Sequence, residues 1–527
     1  MKELITDENF IESTVTVGIF WAAGDMAAPD MIFDSEAYPA AGGPGHKFIN
    51  YEASHFEMWR KLAVKQCGGK YKGYDCYHFP RGRVLYDCYA DKTLVYADRK
   101  ILSRLDIFEP LLKDMFLLEN YEFWCDEHYQ STAKWDDDDK LEYKILRGAD
   151  KIGANILEIT RGGTKILVEF GRELDNVGER FELTAQESEI ISTRYNAAVI
   201  SHYHGDHAEN IRELKCPVYM GPKCKELMQT LNEYTYRNMP ERVRTFRDGT
   251  PFLIGSVKVT PYLCDHSAMD SYMLLFEGGG KRILYTGDYR SGGRKDFEKL
   301  LCRLPADIDV LITEGTNLGR NAACGQDAPV LTEADLELRA AEIMKNTGGP
   351  VFVLQSSMNI DRLVSFYRAA KRTGRVFYTD DFQAQVCGAA GGSIPRPNVF
   401  GDVYSFMPRF ITGERYEKFS KIKNKVSRAA IVKQTKYVML VRCSHIFLMR
   451  DLNEKSDLQG ATLIYSLWEG YKEKEDMKKF LDEIAALGIK IVSLHTSGHA
   501  DAAAIARLIK HTRPKKIEYV HRETSLT

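Results

Sequence analysis

The chain has 527 residues, 44% hydrophobic and 28% charged, with a formal net charge of −2. This is the composition of a soluble globular protein of three or four domain-sized units. It excludes a membrane-spanning protein, because no apolar run approaches the length of a span, and it excludes a globally basic nucleic-acid binder, so any such binding needs a local patch. Eleven cysteines without a C-x-x-C pair predict reduced thiols in a cytoplasm and argue against a disulfide frame or a cysteine zinc knuckle.

Along the chain, Met1-Lys-Glu-Leu-Ile-Thr-Asp-Glu has acids where a secretory leader would be basic. Gly42–Gly45 reads as a loop, and "YEASHFEMWRKLAV" at 51–64 has helical periodicity. "RVLYD" and "TLVYAD" flank Cys88–Lys92 as the arms of a hairpin. These elements predict a small α/β accessory domain over residues 1–145, closed by the charged block Asp136–Lys140 as an exposed linker. Near Arg147 a different pattern begins. "ANILEITRGGTKILVEFG" is two strands joined at Arg161-Gly-Gly. The apolar run Ala197–Ile200 is then a buried strand, followed by His202-Tyr-His-Gly-Asp-His207 on a loop at its end.

That cluster packs three imidazoles and a carboxylate into six residues. These are the donors that zinc or manganese accepts in a catalytic site. In an extended segment residues two apart point the same way, so His202 and His204 can share one metal. Asp206 and His207 lie beyond, where the loop can turn them to a second. Further candidates each follow a strand: His266 after the alternating run from Val257, Asp288 after "KRILYTG", and His521 after "KIEYV". Gly278–Gly280 turns between "YMLLF" and "RILYT". From about Thr332, helical patterns alternate with "VFVLQ" and "RVFYT", which suits a parallel-sheet insert reaching Leu494. Inside it, Lys418, Lys421, Lys423, Lys425, Arg428, Lys433 and Lys436 form a run of seven bases without an acid. Such a strip, facing a groove, would neutralise phosphates. The chain ends with "HTSGHA" at 495–500, a helix "DAAAIARLIKH" and the strand before His521.

HxHxDH, then DHS, TGD and a C-terminal histidine resemble the metallo-β-lactamase superfamily. "ITEGTNLGR" at 312–320, "VLQSSMNIDRL" at 353–363, "IYSLWEGY" at 464–471 and "HTSGHA" narrow the resemblance to its β-CASP branch, which includes ribonuclease J and the pre-mRNA 3′-end-processing endonuclease. The resemblance implies an α/β fold: a metallo-β-lactamase αββα sandwich with an inserted β-CASP α/β domain, behind the N-terminal α/β accessory domain. The core then spans 146–333, the insert 334–494, and 495–527 completes the core.

The resemblance also implies roles. His202, His204 and His266 hold one metal, Asp206, His207 and His521 the second, and Asp288 bridges them. The ions are two zincs per chain, with manganese also suited to the ligand set. Asp206, His499 and Glu314 are the expected catalytic residues, with His499 opposite the metals protonating the leaving oxygen. Ser497, the Gly498 N–H, Lys421, Lys423 and Lys425 are the expected substrate contacts. The implied activity is two-metal hydrolysis of RNA to 5′-phosphate and 3′-hydroxyl products, in the cytoplasm, away from any membrane.

Single-stranded DNA is the alternative polymer, and a small ester, lactone or thioester the alternative substrate. A catalytically dead binding subunit is disfavoured because every ligand position is filled. The sequence departs from the pattern at Glu169, where an aspartate usually orients the metal ligands, and at His521-Arg522-Glu523, where His-Gly-Glu is usual. The C-terminal extension of ribonuclease J has no counterpart in this chain. A homo-oligomer is therefore an expectation without an implied mode of association.

Overall fold

A computed structural model describes residues 140–173, 183–318, 331–409 and 411–522, together with the backbone of five strands between residues 65 and 125. Those strands form one sheet in chain order, Lys65–Gln66, Asp75–Phe79, Gly82–Asp87, Lys92–Ala97 and Tyr121–Cys125. Gly82–Asp87 and Lys92–Ala97 pair antiparallel, which is the hairpin expected around Cys88. The helix expected at 51–64, the loop at Gly42–Gly45 and most of the acidic block at 136–140 lie outside the described residues.

The core is two six-stranded sheets packed face to face. The first runs Val243–Thr245, Val218–Met220, Ala197–Val199, Thr164–Val168, Ile156–Arg161, Glu142–Arg147. It therefore begins at Glu142, ahead of residue 146. The second runs Phe252–Ile254, Val257–Cys264, Ser271–Gly278, Lys281–Tyr285, Val310–Glu314, Lys516–Val520. Both glycine turns fall where expected, at Arg161/Thr164 and Gly278/Lys281. Val168, Val199 and Tyr219 of one sheet meet Val259, Leu274, Ile283 and Ile312 of the other in a shared core. The helices Ala185–Ser192 and Pro222–Thr235 cover the outer face of the first sheet through Ile190 and Leu227. Phe297–Arg303 and Ala502–Thr512 cover the second through Leu300, Ile505 and Leu508. The order of layers is αββα, as expected.

The strand Val257–Cys264 departs from expectation: instead of alternating in and out, Val257–Pro261 are all buried. One face meets the opposite sheet. On the other, Lys258 is neutralised by Glu277 at 2.6 Å, so a polar position tolerates burial.

The second sheet explains the discontinuous chain. Val310–Glu314 pairs parallel with Lys516–Val520, some two hundred residues later in sequence. Between them lies a six-stranded sheet in the order Val403–Phe406, Val376–Asp380, Tyr437–Val441, Val351–Leu354, Thr462–Tyr465, Lys490–Ser493. Every pairing in it is parallel. Its central strands are continuous apolar runs because both faces are covered. Helices Glu333–Asn346 and Ile360–Arg372 pack on one face, and Ile446–Ser456 and Glu475–Ala486 on the other. A parallel sheet puts all strand C-termini on one side. That side meets the core: Tyr203 Oη donates to Met358 O at 2.9 Å, and Ala268 bridges Asn359.

Candidate metal centre

Strand ends build the site. Ala197–Val199 is buried along its whole length, and the chain bends at Ser201 just before His202. His204 keeps an extended backbone (φ −63°, ψ 147°) and caps a one-turn helix, Gly205–Ala208. The expected loop is therefore half helix, and the turn brings the His207 ring back against His202, with centroids 4.1 Å apart. His266 follows Val257–Cys264, Asp288 follows Lys281–Tyr285, and His521 follows Lys516–Val520.

Three sets of donor atoms gather within 4.8 Å of one another: His202, His204 and His266; Asp206, His207, Asp288 and His521; and Asp288, Glu314, His499 and His521. In the first, His266 Nε2 stands 3.2 Å from His204 Nδ1. In the second, Asp288 Oδ2 is 3.2 Å from His207 Nε2, and Asp206 Oδ2 is 3.1 Å from His521 Nε2.

Hydrogen bonds fix how the rings face. His266 Nδ1–H donates to Gly498 O at 2.6 Å, leaving Nε2 turned inward. Thr316 donates to Glu314 Oε2 at 2.7 Å, so its oxygen accepts from His521 Nδ1–H at 2.8 Å. Glu169 is buried beside His207. Its Oε1 accepts the Ser201 N–H at 3.1 Å and lies 3.6 Å from His207 Nδ1. Glu169 and His521 are both left-handed (φ 62° and 54°), strain of the kind that collects at functional sites.

The donor set fits divalent cations. His202 Nε2, His207 Nε2 and Asp288 Oδ1 are buried polar atoms without a hydrogen-bond partner, which a native interior seldom leaves. Burial, with neighbouring imidazoles, holds His202 and His266 well below the usual histidine range, and burial brings His204 down to about 4. These rings are neutral, as a ligand must be. His207 is different: burial opposes its charge, yet Asp288 and Asp206 hold it well above the usual range. Burial likewise works against the Asp288 carboxylate, but His521, His207 and His499 keep it strongly acidic.

His499 sits beside this cluster, with Nδ1–H donating to Glu314 Oε2 at 3.0 Å and Asp288 Oδ2 lying 3.5 Å from the same nitrogen. Burial disfavours its charge, but Glu314 and Asp288 push its pKa up to about 9. Its ring also stacks on His521, with centroids 5.2 Å apart, so it shares the metal-type cluster instead of facing it from the far wall. Glu314 is fully buried, and its Oε1 takes the N–H groups of Tyr289 at 2.7 Å and Ala500 at 3.3 Å. Its other oxygen is shared by His499 Nδ1–H and the Thr316 hydroxyl.

Two expected substrate contacts also have partners inside the protein. Ser497 Oγ accepts from Asn317 Nδ2 at 3.2 Å and from the His499 N–H at 3.1 Å. Gly498 supplies its carbonyl to His266, and a Cβ there would lie 2.8 Å from Ser267 Oγ.

The lysines are not brought to the cluster. The Asn398 side chain binds Lys421 O and the Lys423 N–H, ahead of the edge strand Val403–Phe406, and Lys425 pairs with Ser405 along that strand. The run thus wraps the outer edge of the insert sheet, and Lys421 and Lys423 lie toward its strand N-termini. The core meets the opposite ends. Lys418 is also neutralised, by Glu233 and Glu414.

Sequence reasoning missed Thr316 and Asn317, which tie the Glu314 strand end to His499, His521 and residues 497–500. Their place directly behind Glu314 was the available signal.

Residues 177–382 match a family described as a beta-lactamase superfamily domain. An RNase J-like protein of Methanocaldococcus jannaschii is 24% identical over 425 residues, which is 72% of this chain and 92% of that relative. Endoribonuclease ysh1 of Emericella nidulans is 23% identical over 44% of this chain, but the match spans only 29% of the fungal protein. A solved structure, a protein of unknown function from Enterococcus faecalis V583, has a TM-score of 0.57 at 18% identity. It covers 72% of this chain and 94% of its own, a likeness of fold.

Proposed function

Taking the chain as a hydrolase of the metallo-β-lactamase superfamily, β-CASP branch, we propose that it is a two-metal phosphodiesterase that cleaves RNA to 5′-phosphate and 3′-hydroxyl products. One observation carries the reading. Asp288 Oδ2 lies 3.9 Å from both His202 Nε2 and His266 Nε2, and 3.2 and 3.7 Å from His207 Nε2 and His521 Nε2. A single carboxylate oxygen is shared by two ligand sets. His202, His204 and His266 would hold one ion, Asp206, His207 and His521 the other, with zinc the expected metal and manganese tolerated.

When bound, such a pair supplies Lewis acidity and lowers the pKa of water between the ions. The chain's own residues do the rest. Asp206 is anchored by His521, which keeps its carboxylate within the cluster. Glu314 favours the protonated form of His499 and pins it through Nδ1, which leaves Nε2 to hand a proton to the leaving oxygen.

The named activities of the relatives, "RNase J-like" and "endoribonuclease", support RNA as the polymer. So does the insert, which walls the site in a way a small ester would not require. Among the described residues no helix is long and apolar enough to cross a membrane.

The deciding experiment uses purified chain, stripped with a chelator and reloaded with zinc or manganese. It is offered labelled RNA and single-stranded DNA of one sequence. Metal-dependent cutting of RNA, with a 5′-phosphate on the downstream product, is the expected result. Turnover of lactones or esters with neither polymer cut would replace the reading.

A further inference from the structure

Three segments that carry site residues are tied together by buried ion pairs that run through the insert. Asp265, directly before His266, accepts Arg290 Nε at 2.6 Å, and its other oxygen takes the N–H groups of Arg294 at 2.8 Å and Lys295 at 2.6 Å. Arg290 lies two residues past Asp288, and its backbone N–H also donates to Asp265 O at 2.8 Å. The other guanidinium nitrogens leave the core. Nη1 reaches Glu333 at 3.0 Å and Nη2 reaches Asp361 at 2.6 Å. Glu333 opens the first helix of the insert, and Asp361 sits in the first turn of its second. Arg362 continues the chain, from Glu333 to Ser466 Oγ at 2.7 Å and Thr496 O at 2.8 Å, three residues before His499. The Gly498 carbonyl on His266 closes the circuit.

Arg290 is 3% exposed, and Arg362 and Glu333 are each 1% exposed. Stability alone does not account for so many buried charges, since packed apolar residues would serve as well or better. Geometry does. Arg290 meets three acceptors on three segments, each through a different nitrogen of one rigid plane, which a lysine cannot do.

We propose that Arg290 is a positioning residue that sets His266 against Asp288, with Glu333 and Asp361 of the insert as the fixed end of the brace. This rests on the reading that the cluster holds divalent ions. Its consequence is specific. The insert tunes the chemistry even of a phosphodiester too small to touch it.

The test uses the full chain loaded with cobalt(II), whose visible spectrum reports ligand geometry, together with bis(p-nitrophenyl) phosphate and RNA as substrates. In folded Arg290→Lys the cobalt bands should shift, and kcat on the small diester should fall about 10–100-fold with little change in KM, the usual scale for groups that orient metal ligands. Unaltered bands with unaltered small-diester kcat would overturn the proposal. So would a loss confined to RNA, because the brace would then only align domains. Should Arg290→Lys fail to fold, Asp361→Asn decides. It removes only the outermost acceptor, whose side chain is 19% exposed. A smaller shift in the same direction supports the brace, and none overturns it. Wild-type chain that takes up no cobalt would remove the metal reading itself and the proposal with it.

Discussion

Two stretches stand out in the sequence for density of charge-bearing residues, and they meet opposite fates. His202–His207 is the seed of a buried cluster completed by residues from distant strand ends. In the basic run at 418–436, Lys418 pairs with Glu233 of the core helix Pro222–Thr235, and Lys421, Lys423 and Lys425 are exposed along the outer edge of the insert sheet. The difference lies in the strand beside each. The histidine stretch sits at the end of a central strand, where neighbouring strands end on the same rim. The basic run leads into the start of a strand, at the far end of a parallel sheet. A dense motif becomes a site when topology brings partners to it.

The largest way to break this contrast is Asp288→Asn, because one oxygen serves both ligand sets. Losing its charge should lower cleavage by on the order of 10³-fold or more, equivalent to several kcal/mol of transition-state stabilisation. Circular dichroism should show retained fold, and elemental analysis of metal-loaded protein should fall below two equivalents. Full metal content with full activity would mean the two sets are not joined through Asp288.

Next comes His499→Ala, expected to cut cleavage by about 10²–10⁴-fold with metal retained if the proposed proton transfer is its role. Glu314→Gln should produce a smaller loss of the same kind, because the hydrogen bond to Nδ1 survives while the charge that favours protonated His499 is gone. Loss of metal in His499→Ala would move that residue into the ligand set.

These variants also mark how far the sequence could be read. The members of the cluster were legible because imidazoles and carboxylates stand just past apolar strands, and the glycine turns were legible because each joined two obvious strands. The supports were not. Thr316 reaches His499 across 183 residues, and Arg362 reaches Thr496 across 134. Nothing local to either residue announces such a partner. Ser497 and Gly498 show the same limit: their types mark a small polar loop, and nothing local shows its partners inside the protein. Here its hydroxyl and carbonyl are already engaged by Asn317 and His266.

His495 sharpens the contrast through stability. It lies in the seam between insert and core, where burial and then Arg362 bring its pKa down to about 4. The unfolded chain takes up this proton near pH 6.5 and the folded chain only near 4. The stabilisation is therefore complete above pH 6.5 and is lost as pH falls through that window, by on the order of 3 kcal/mol at most. Urea melts at pH 7, 6 and 5 should show wild type losing more stability than His495→Gln. Parallel loss in both would assign the acid limb to other groups.

The smallest effect should come from the most conspicuous charges. Lys421, Lys423 and Lys425 changed together to Gln would remove three positive charges from one short segment. If each touched a phosphate of a single-stranded substrate, the slope of log affinity against log salt would flatten by about 0.7 per lysine, or roughly 2 in all. The fold argues otherwise. Lys425 already spends its ammonium on Ser420 O at 2.7 Å, and the segment lies along the outer strand of the insert, whereas the core meets the strand C-termini. Fluorescence titrations of labelled RNA at several salt concentrations should give nearly the wild-type affinity and a slope changed by less than about 0.7, one contact's worth. A fall of roughly 2 would mean that the strand wraps beyond the cleft and around the insert's edge. The path of the substrate would then be far longer than the site alone requires.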